Sequence, residues 1–229
     1  MQMPFSIRHL SEADIPAVAQ IEREAFPTFC PATSFKREMQ NKRISYLVVS
    51  SAIPADGPDL SVPQPAGVAA SAPRGPLPLR LIHSFKGLLK QPRPVESPPR
   101  DTPLGFVSIW FLTDEAHITA IAVREAWRGQ GLGEILLIGA FEASFQRKSR
   151  VMTLEVRVSN SPAIALYEKY GFKRVGIRKG YYTDNREDAA IMTTEPLQAA
   201  IFRERFEELR KVCFERHGAV DISFTPQPH

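Results

Sequence analysis

The spacing of apolar residues along the chain changes between a helical and a strand period, which indicates a mixed α/β protein. Apolar residues three and four apart predict helices, and alternating or β-branched runs predict strands. The predicted strands are 5–10, 44–49, 105–111, 117–123, 151–158, 173–180 and 188–194. The predicted helices are 15–26, 33–40, 131–147, 162–170 and 197–217. The pattern therefore predicts a sheet of about seven strands packed by helices.

Proline usage interrupts this pattern. Residues 54 to 103 hold twelve of the twenty prolines, and proline cannot donate a backbone hydrogen bond to a strand or helix. We therefore expect a loosely ordered insertion between two strands. The expected organisation is a domain at 1–195 with an insertion at about 51–103, a C-terminal helix at 196–217 and a frayed tail at 218–229. An apolar, basic island at 79–90 either packs on its own domain or docks on a membrane surface or a partner.

Composition narrows the class of protein. The net charge of +4 and the pI of about 9.2 fit an anionic cofactor or a partner near nucleic acid, and favour neither. No apolar run approaches the ~18 residues that span a bilayer, and the N-terminus lacks the pattern of a signal peptide, so the expected compartment is the cytoplasm. Two distant cysteines and five scattered histidines predict no disulfide framework and no metal site.

A glycine-rich run follows the predicted strand that ends at Val123. It reads Arg128-Gly129-Gln130-Gly131-Leu132-Gly133 and opens a helix. The first N–H groups of a helix have no partner within the helix, and together with the helix dipole they bind anions. Its glycine spacing differs from that of a Walker loop and of a dinucleotide fingerprint. Alone, the run predicts either an anion site or a turn without a ligand.

A second motif favours the interpretation of the glycine-rich run as an anion site. Asn160-x-x-Ala-x-x-Leu-Tyr-x-x-x-Gly-Phe follows the strand that contains Leu154-Glu-Val-Arg. Together with Arg128-x-x-Gly-x-Gly, it resembles the GNAT superfamily of N-acetyltransferases. The Leu-Glu-Val-Arg run and Gly180-Tyr-Tyr resemble the RimI type, which acetylates the N-terminal alanine of a small-subunit ribosomal protein. The resemblance is weak over residues 5–50 and strong over 104–195.

The resemblance implies a GNAT-like fold, a mixed and largely antiparallel sheet with a splayed central strand pair. It implies acetyl-CoA as co-substrate and no metal. The cofactor-binding residues that it implies are Ile121, Ala122, Val123, Arg128, Gly129, Gln130, Gly131, Leu132, Gly133, Glu134 and Asn160. Asn160 could instead cap the helix that follows it, or do both.

The same resemblance assigns the chemistry. Glu155 is the expected base for the substrate amine, and Tyr167 is the expected acid for the departing thiolate. Tyr181, Tyr182, Phe26 and Pro27 are candidates for contact with a peptide substrate, and packing is the alternative role for each. The acidic residues 187 and 188 are further candidates.

Three functional hypotheses remain open at this point. The first is an N-terminal alanine acetyltransferase acting on a ribosomal protein. The second is an acetyltransferase of broader range, on Nα and lysine amines or on a small amine. The third, a CoA-binding module without turnover, is disfavoured by the presence of both Glu155 and Tyr167. We expect no direct contact with nucleic acid, no membrane span, and a monomer or weak dimer.

Overall fold

Eight strands form one mixed sheet in this computed structural model. The structure describes residues 5–26, 32–51, 101–218 and 220–223, which belong to one compact unit. In chain order the strands are β1 (Phe5–His9), β2 (Ile44–Ser51), β3 (Pro103–Phe111), β4 (Glu115–Val123), β5 (Val151–Arg157), β6 (Phe172–Tyr182), β7 (Glu187–Thr194) and β8 (Val220–Ile222). Their order across the sheet is β6-β7-β5-β4-β3-β2-β1-β8. Only the pairs β1–β8 and β4–β5 are parallel.

Helices cover both faces of this sheet. They are α1 (Ile15–Ala25), α2 (Phe35–Glu38), α3 (Leu132–Gln146), α4 (Ser161–Lys169) and α5 (Ala200–His217). The larger core cluster joins α3, α4 and α5 to one face, and the smaller joins α1 and α2 to the other. α3 is buried on nearly every side because it lies between the sheet and α5. An apolar stretch of this kind is typical of a central helix.

The two central strands, β4 and β5, are hydrogen-bonded only at one end. Their pairing begins at Glu115 and ends where Ile118 lies opposite Leu154, and the ladder contains no later pair among the described residues. On its other edge, β4 carries a bulge at Thr119, where its register with β3 shifts. A bulge bends and twists its strand, so β4 leaves β5 just after Ile118. The splayed central pair that the family resemblance implied is confirmed.

The structure corrects the expectation at the C-terminus. The segment 218–229 was expected to fray, but Val220–Ile222 form β8 and pair in parallel with β1. Val220 is buried there, because its side chain joins the larger core cluster. The sheet therefore has eight strands rather than about seven. The expected island at 79–90 and most of the expected insertion lie outside the described residues.

Candidate active site

Glu155 lies at the point where the central strands separate. It follows Leu154, the last β5 residue paired with β4. Side chains alternate along a strand, so Leu154 and Val156 enter the larger core while Glu155 points to the opposite face. Only 6% of its side chain is exposed, yet two nitrogen-bearing side chains contact its carboxylate. His117 Nε2 lies 3.0 Å from Glu155 Oε2, and an Arg178 guanidinium nitrogen lies 3.3 Å from Oε1.

Behind His117, a chain of hydrogen bonds runs along the same face. The Nδ1 atom of His117 lies 2.8 Å from the Thr153 hydroxyl, which donates to Glu115 Oε1 at 2.6 Å. His117 on β4 and Thr153 on β5 are register partners in the paired end of the two strands. The expected base is thus one end of a network of four side chains.

Tyr167 lies on the other face of the sheet. It is buried on α4 within the larger core cluster, with its ring centroid 5.6 Å from that of Phe172. Burial, and secondarily the neighbouring Tyr182, raise the pKa of Tyr167 to about 12. The phenol therefore keeps its proton at neutral pH, as an acid must. The expected base and the expected acid therefore lie on opposite faces of the sheet.

The glycine run forms the turn before α3. Gly129 and Gly131 have φ angles of 76° and 84°, values that favour glycine. The first helical hydrogen bond joins Ile135 N to Gly131 O at 3.0 Å, so the N–H groups of the preceding turn lack intrahelical acceptors. A Cβ added at Gly129 or Gly133 would meet no atom within 4 Å. The turn thus offers donors and open space of the kind that a phosphate needs.

Side chains around this turn stabilise it through hydrogen bonds to backbone carbonyls and leave the space beside Gly129 and Gly133 open. Arg128 Nε donates to the carbonyl of Val123 at 3.2 Å, and Gln130 donates to that of Ala126 at 3.3 Å. Leu132 is buried in the core. Glu134 was expected at the cofactor, but its carboxylate accepts hydrogen bonds from Lys169 Nζ at 2.6 Å and from the Tyr170 hydroxyl at 2.7 Å. Burial opposes ionisation, but these two donors outweigh it and lower the pKa of Glu134.

The remaining cofactor residues lie around the opening. Ile121 and Val123 lie on the part of β4 that has left β5, partly buried against the larger core, and Ala122 points to the smaller core. Asn160 Oδ1 accepts a hydrogen bond from Ala163 N at 3.3 Å. Asn160 therefore caps α4, which was one of the two roles left open for it.

Two tyrosines at the end of β6 border Glu155. The rings of Tyr181 and Tyr182 meet edge to face at 5.2 Å. The Arg178 guanidinium lies 5.6 Å from the Tyr181 ring centroid, and that of Arg157 lies 3.9 Å from the Tyr182 ring centroid. Burial, then the charge of Glu155, raise the pKa of Tyr181. Tyr181 is thus connected to Glu155 through Arg178, whose guanidinium lies near both, and Tyr182 packs on Tyr181.

Other residues expected to contact the substrate have contacts within the protein instead. Glu187 accepts hydrogen bonds from Ser159 N and from Arg157, and Asp188 accepts one from Gly180 N. These two acidic residues hold the β6–β7 loop, so the expectation that they grip a substrate is not supported by their contacts. Phe26 packs against the smaller core at the end of α1. Pro27 lies outside the described residues.

A group of possible metal ligands was missed in the sequence. Donor atoms of Glu134, Cys213 and His217 lie within 4.8 Å of one another. Cys213 and His217 are four residues apart on α5, and this spacing places them on one helix face. Burial raises the pKa of the Cys213 thiol to about 12, and Lys169 already occupies Glu134. A protonated thiol and an ion-paired carboxylate do not make a prepared cation site.

His117 and Arg178 were also missed. The sequence places His117 on a strand, but its contact with Glu155 depends on the parallel register of β4 and β5. Arg178 reaches Glu155 from β6, two strands away across β7. The available signal was the alternation along β4 and β5, which puts His117, Thr153 and Glu155 on one face.

Comparison with known proteins agrees with this geometry. Residues 91–172 match the acetyltransferase (GNAT) family. A Bacillus subtilis (strain 168) protein, provisionally named as a ribosomal protein bS18-alanine N-acetyltransferase, is 52% identical over 88 residues, which are 38% of this chain and 58% of that protein. The bS18-alanine N-acetyltransferase of Escherichia coli (strain K12) is 48% identical over 89 residues, 38% of this chain and 60% of that protein.

A solved structure is similar over a longer stretch. The crystal structure of the ribosomal-protein-S18-alanine N-acetyltransferase from Escherichia coli has a TM-score of 0.56 and 28% identity, covering 86% of this chain and 96% of that chain. By sequence, the chain spans about three fifths of the length of the curated relatives. Within the described residues, no helix is long and apolar enough to cross a bilayer.

Proposed function

We propose that this protein transfers the acetyl group of acetyl-CoA to the N-terminal alanine amine of a ribosomal protein of the bS18 type. One observation carries the proposal. Glu155, a buried carboxylate, lies at the opening between β4 and β5, and Tyr167, a buried phenol, lies in the core on the opposite face of the sheet. The names of the relatives support the choice of substrate.

The residues around the opening supply what acyl transfer requires. Acetyl-CoA, when bound, supplies an activated carbonyl. The turn of residues 128–133 offers N–H donors for its pyrophosphate, and the free edge of β4 at Ile121 and Val123 offers backbone groups for its pantetheine arm. A backbone N–H near Val123 is suited to stabilise the oxyanion.

Protons move at two named atoms. The substrate arrives as an ammonium, and a Glu155 carboxylate oxygen accepts its proton to free the attacking lone pair. The Tyr167 hydroxyl then donates its proton to the departing thiolate, the nitrogen releases its second proton as the amide forms, and solvent restores the proton of the phenol. Tyr181 and Tyr182 border Glu155 and are placed to contact the first residues of the peptide. The opposite siting of base and acid lets the amine and the cofactor approach from different faces of the sheet.

A second candidate is an acetyltransferase that accepts lysine as well. Arg178 is 55% exposed and Tyr181 is exposed on the solvent side of Glu155. A flexible lysine side chain could reach the carboxylate by that route. A CoA-binding module without turnover is the least supported, because it leaves the placement of both Glu155 and Tyr167 unexplained.

One assay separates these candidates. The full chain is incubated with acetyl-CoA and, separately, with a peptide of the bS18 N-terminus, the same peptide with its α-amine blocked and an internal lysine, and spermidine. We expect CoA release with the free N-terminus only. Equal rates with the blocked lysine peptide would favour the acetyltransferase that also accepts lysine over one restricted to the N-terminal alanine. If no acceptor gave CoA release although acetyl-CoA bound measurably, the result would support the CoA-binding module without turnover.

A further inference from the structure

We propose that His117 is a positioning residue that shares a proton with Glu155 and controls when that carboxylate can act as a base. The proposal rests on the proposed function for its catalytic consequence, but the shared proton itself can be tested without turnover. His117 is the more enclosed of the two side chains that contact the Glu155 carboxylate, with 23% of its side chain exposed.

Counting hydrogens fixes the tautomer of the ring. The Thr153 hydroxyl carries one hydrogen, and its 2.6 Å contact with Glu115 uses that hydrogen, since an ionised carboxylate can only accept. The Thr153 oxygen must therefore accept at its 2.8 Å contact with His117. It follows that Nδ1 of His117 carries a hydrogen.

The other ring nitrogen then faces a carboxylate oxygen. Neutral His117 with a hydrogen on Nδ1 would present a lone pair at Nε2, and Glu155 Oε2 would present another at 3.0 Å. Two lone pairs at that distance repel each other, so the contact requires a proton between them. The pair holds this proton either as imidazolium and carboxylate or as imidazole and carboxylic acid.

The two partners of Glu155 differ in how readily a substrate displaces them. Thr153 and Glu115 hold His117 from behind, whereas Arg178 contacts Oε1 from an exposed position on β6. An incoming ammonium can take the place of the exposed guanidinium, and the imidazole stays. His117 thus keeps the carboxylate oriented while Oε1 receives the substrate.

The charged groups around His117 come from three strands, and a fourth contributes an uncharged neighbour. Glu115 lies on the same strand, β4, and is 3.8 Å from Nδ1. β5 contributes Glu155, and β6 contributes Arg178 with Tyr181 and Tyr182 beyond it. On β3, the register partner of His117 is the uncharged Trp110. Two carboxylates therefore flank the ring, one near each of its nitrogens.

His117→Gln tests the catalytic consequence. Glutamine keeps a donor near Glu155 but cannot carry the positive charge. We expect the KM for acetyl-CoA to stay within about twofold of wild type, while the acid limb of kcat/KM moves up by about one pH unit or more, because a cation beside a carboxylate favours its charged form. A pH profile identical to wild type would overturn the proposal, whatever the change in kcat. His117→Ala should lower kcat further, since it removes the donor too.

A second measurement needs no activity. The imidazole nitrogens of His117 are followed by 15N NMR from about pH 5 to about pH 9, in wild type and in Glu155→Gln. We expect the ring of His117 to lose its charge at a lower pH in the variant, because the carboxylate partner is gone, while His217 is unchanged. Identical His117 titrations would overturn the shared proton. If the wild type bound acetyl-CoA but turned over no acceptor, the proposed function would fail and this readout would still decide.

Discussion

Glu155 is a carboxylate that the fold buries and that a substrate must still reach. Burial in a medium of low dielectric strengthens its interactions with neighbouring polar and charged groups, and His117 and Arg178 each contact one of its oxygens. An isolated buried charge would be costly, so these partners make an ionised base possible there. The Glu155 carboxylate thus already contacts one fixed cation, Arg178, before a cationic substrate arrives.

Removing the carboxylate charge should therefore affect the chemical step. We expect Glu155→Gln to lower kcat by about 100-fold or more, since general base catalysis contributes about 10²–10⁴ and an amide cannot accept the proton. The KM for acetyl-CoA should hardly change, because the glycine turn of residues 128–133 is not among the groups that contact Glu155. Steady-state kinetics with the bS18 peptide measure both values, and a wild-type kcat would remove Glu155 from its role.

Tyr167→Phe should also lower kcat, by about tenfold or more on the scale of acid catalysis. The phenyl ring preserves the packing on Phe172 and removes only the hydroxyl. Because its pKa lies near 12, Tyr167 should produce no alkaline limb of its own below about pH 11. Tyr170→Phe, three residues along the same helix, is the matched control. Its hydroxyl contacts Glu134 rather than the opening, so a loss confined to the Tyr170 variant would contradict the assignment.

The turn before α3 depends on Gly131 for two reasons. Its φ of 84° is unfavourable for other residues, and a Cβ would overlap the His217 ring. We expect Gly131→Ala to raise the KM for acetyl-CoA and to cost about 1–3 kcal/mol of stability from backbone strain. Gly133→Ala is the control, because a Cβ there meets open space. Equal effects of the two substitutions on thermal unfolding would show that strain at Gly131 is not the cause.

At the scale of elements, the motifs identify more of the site than the periodicity does. Glu155 and Tyr167 were predicted from the family resemblance, and alternation along β5 put Glu155 opposite Leu154 and Val156. The opening between β4 and β5 needed the resemblance too, because the bulge at Thr119 has no local signal such as glycine. His117 could not be assigned to Glu155, since hydropathy does not reveal which strands are neighbours in a sheet.

Some element boundaries could be read from local signals in the sequence, and others could not. The cap of α4 at Asn160 and its proline at the start were readable from residue type. β8 was not, because three residues in a polar C-terminal segment carry too little pattern to identify a strand. It forms by pairing with β1, which is a contact between the two ends of the chain.

Helix α5 lies C-terminal to the strands that build the site, and we expect it to stabilise the core. Phe206 is 2% exposed, and its ring centroid lies 5.3 Å from that of Phe141 and 5.0 Å from that of Phe145. We expect Phe206→Ala to lower the free energy of unfolding by about 3–5 kcal/mol, measured by urea denaturation. Ile201→Ala on the same helix is the control, since Ile201 is 79% exposed, and should change it by less than about 0.5 kcal/mol. Equal changes would mean that α5 does not stabilise the core.

At the scale of the whole molecule, the sheet places the ends of the long insertion side by side. Ser50 on β2 pairs with Pro103 on β3, so the two strands could be joined by a short hairpin loop. The site around Glu155 is built by β4, β5 and β6, on the other side of β3. The residues between β2 and β3 are therefore not needed to align the base with the acid.

This geometry predicts that the insertion is dispensable for chemistry. We expect a chain in which residues 54–100 are replaced by a short turn containing Asn-Gly to fold and to retain kcat within about threefold, because loop length itself costs little free energy. Asp101 is kept, since its carbonyl accepts a hydrogen bond from Arg8. Circular dichroism and the bS18 peptide assay measure the two properties. A folded chain with wild-type kcat but a raised peptide KM would assign the insertion to substrate binding, and a folded chain without turnover would contradict the prediction.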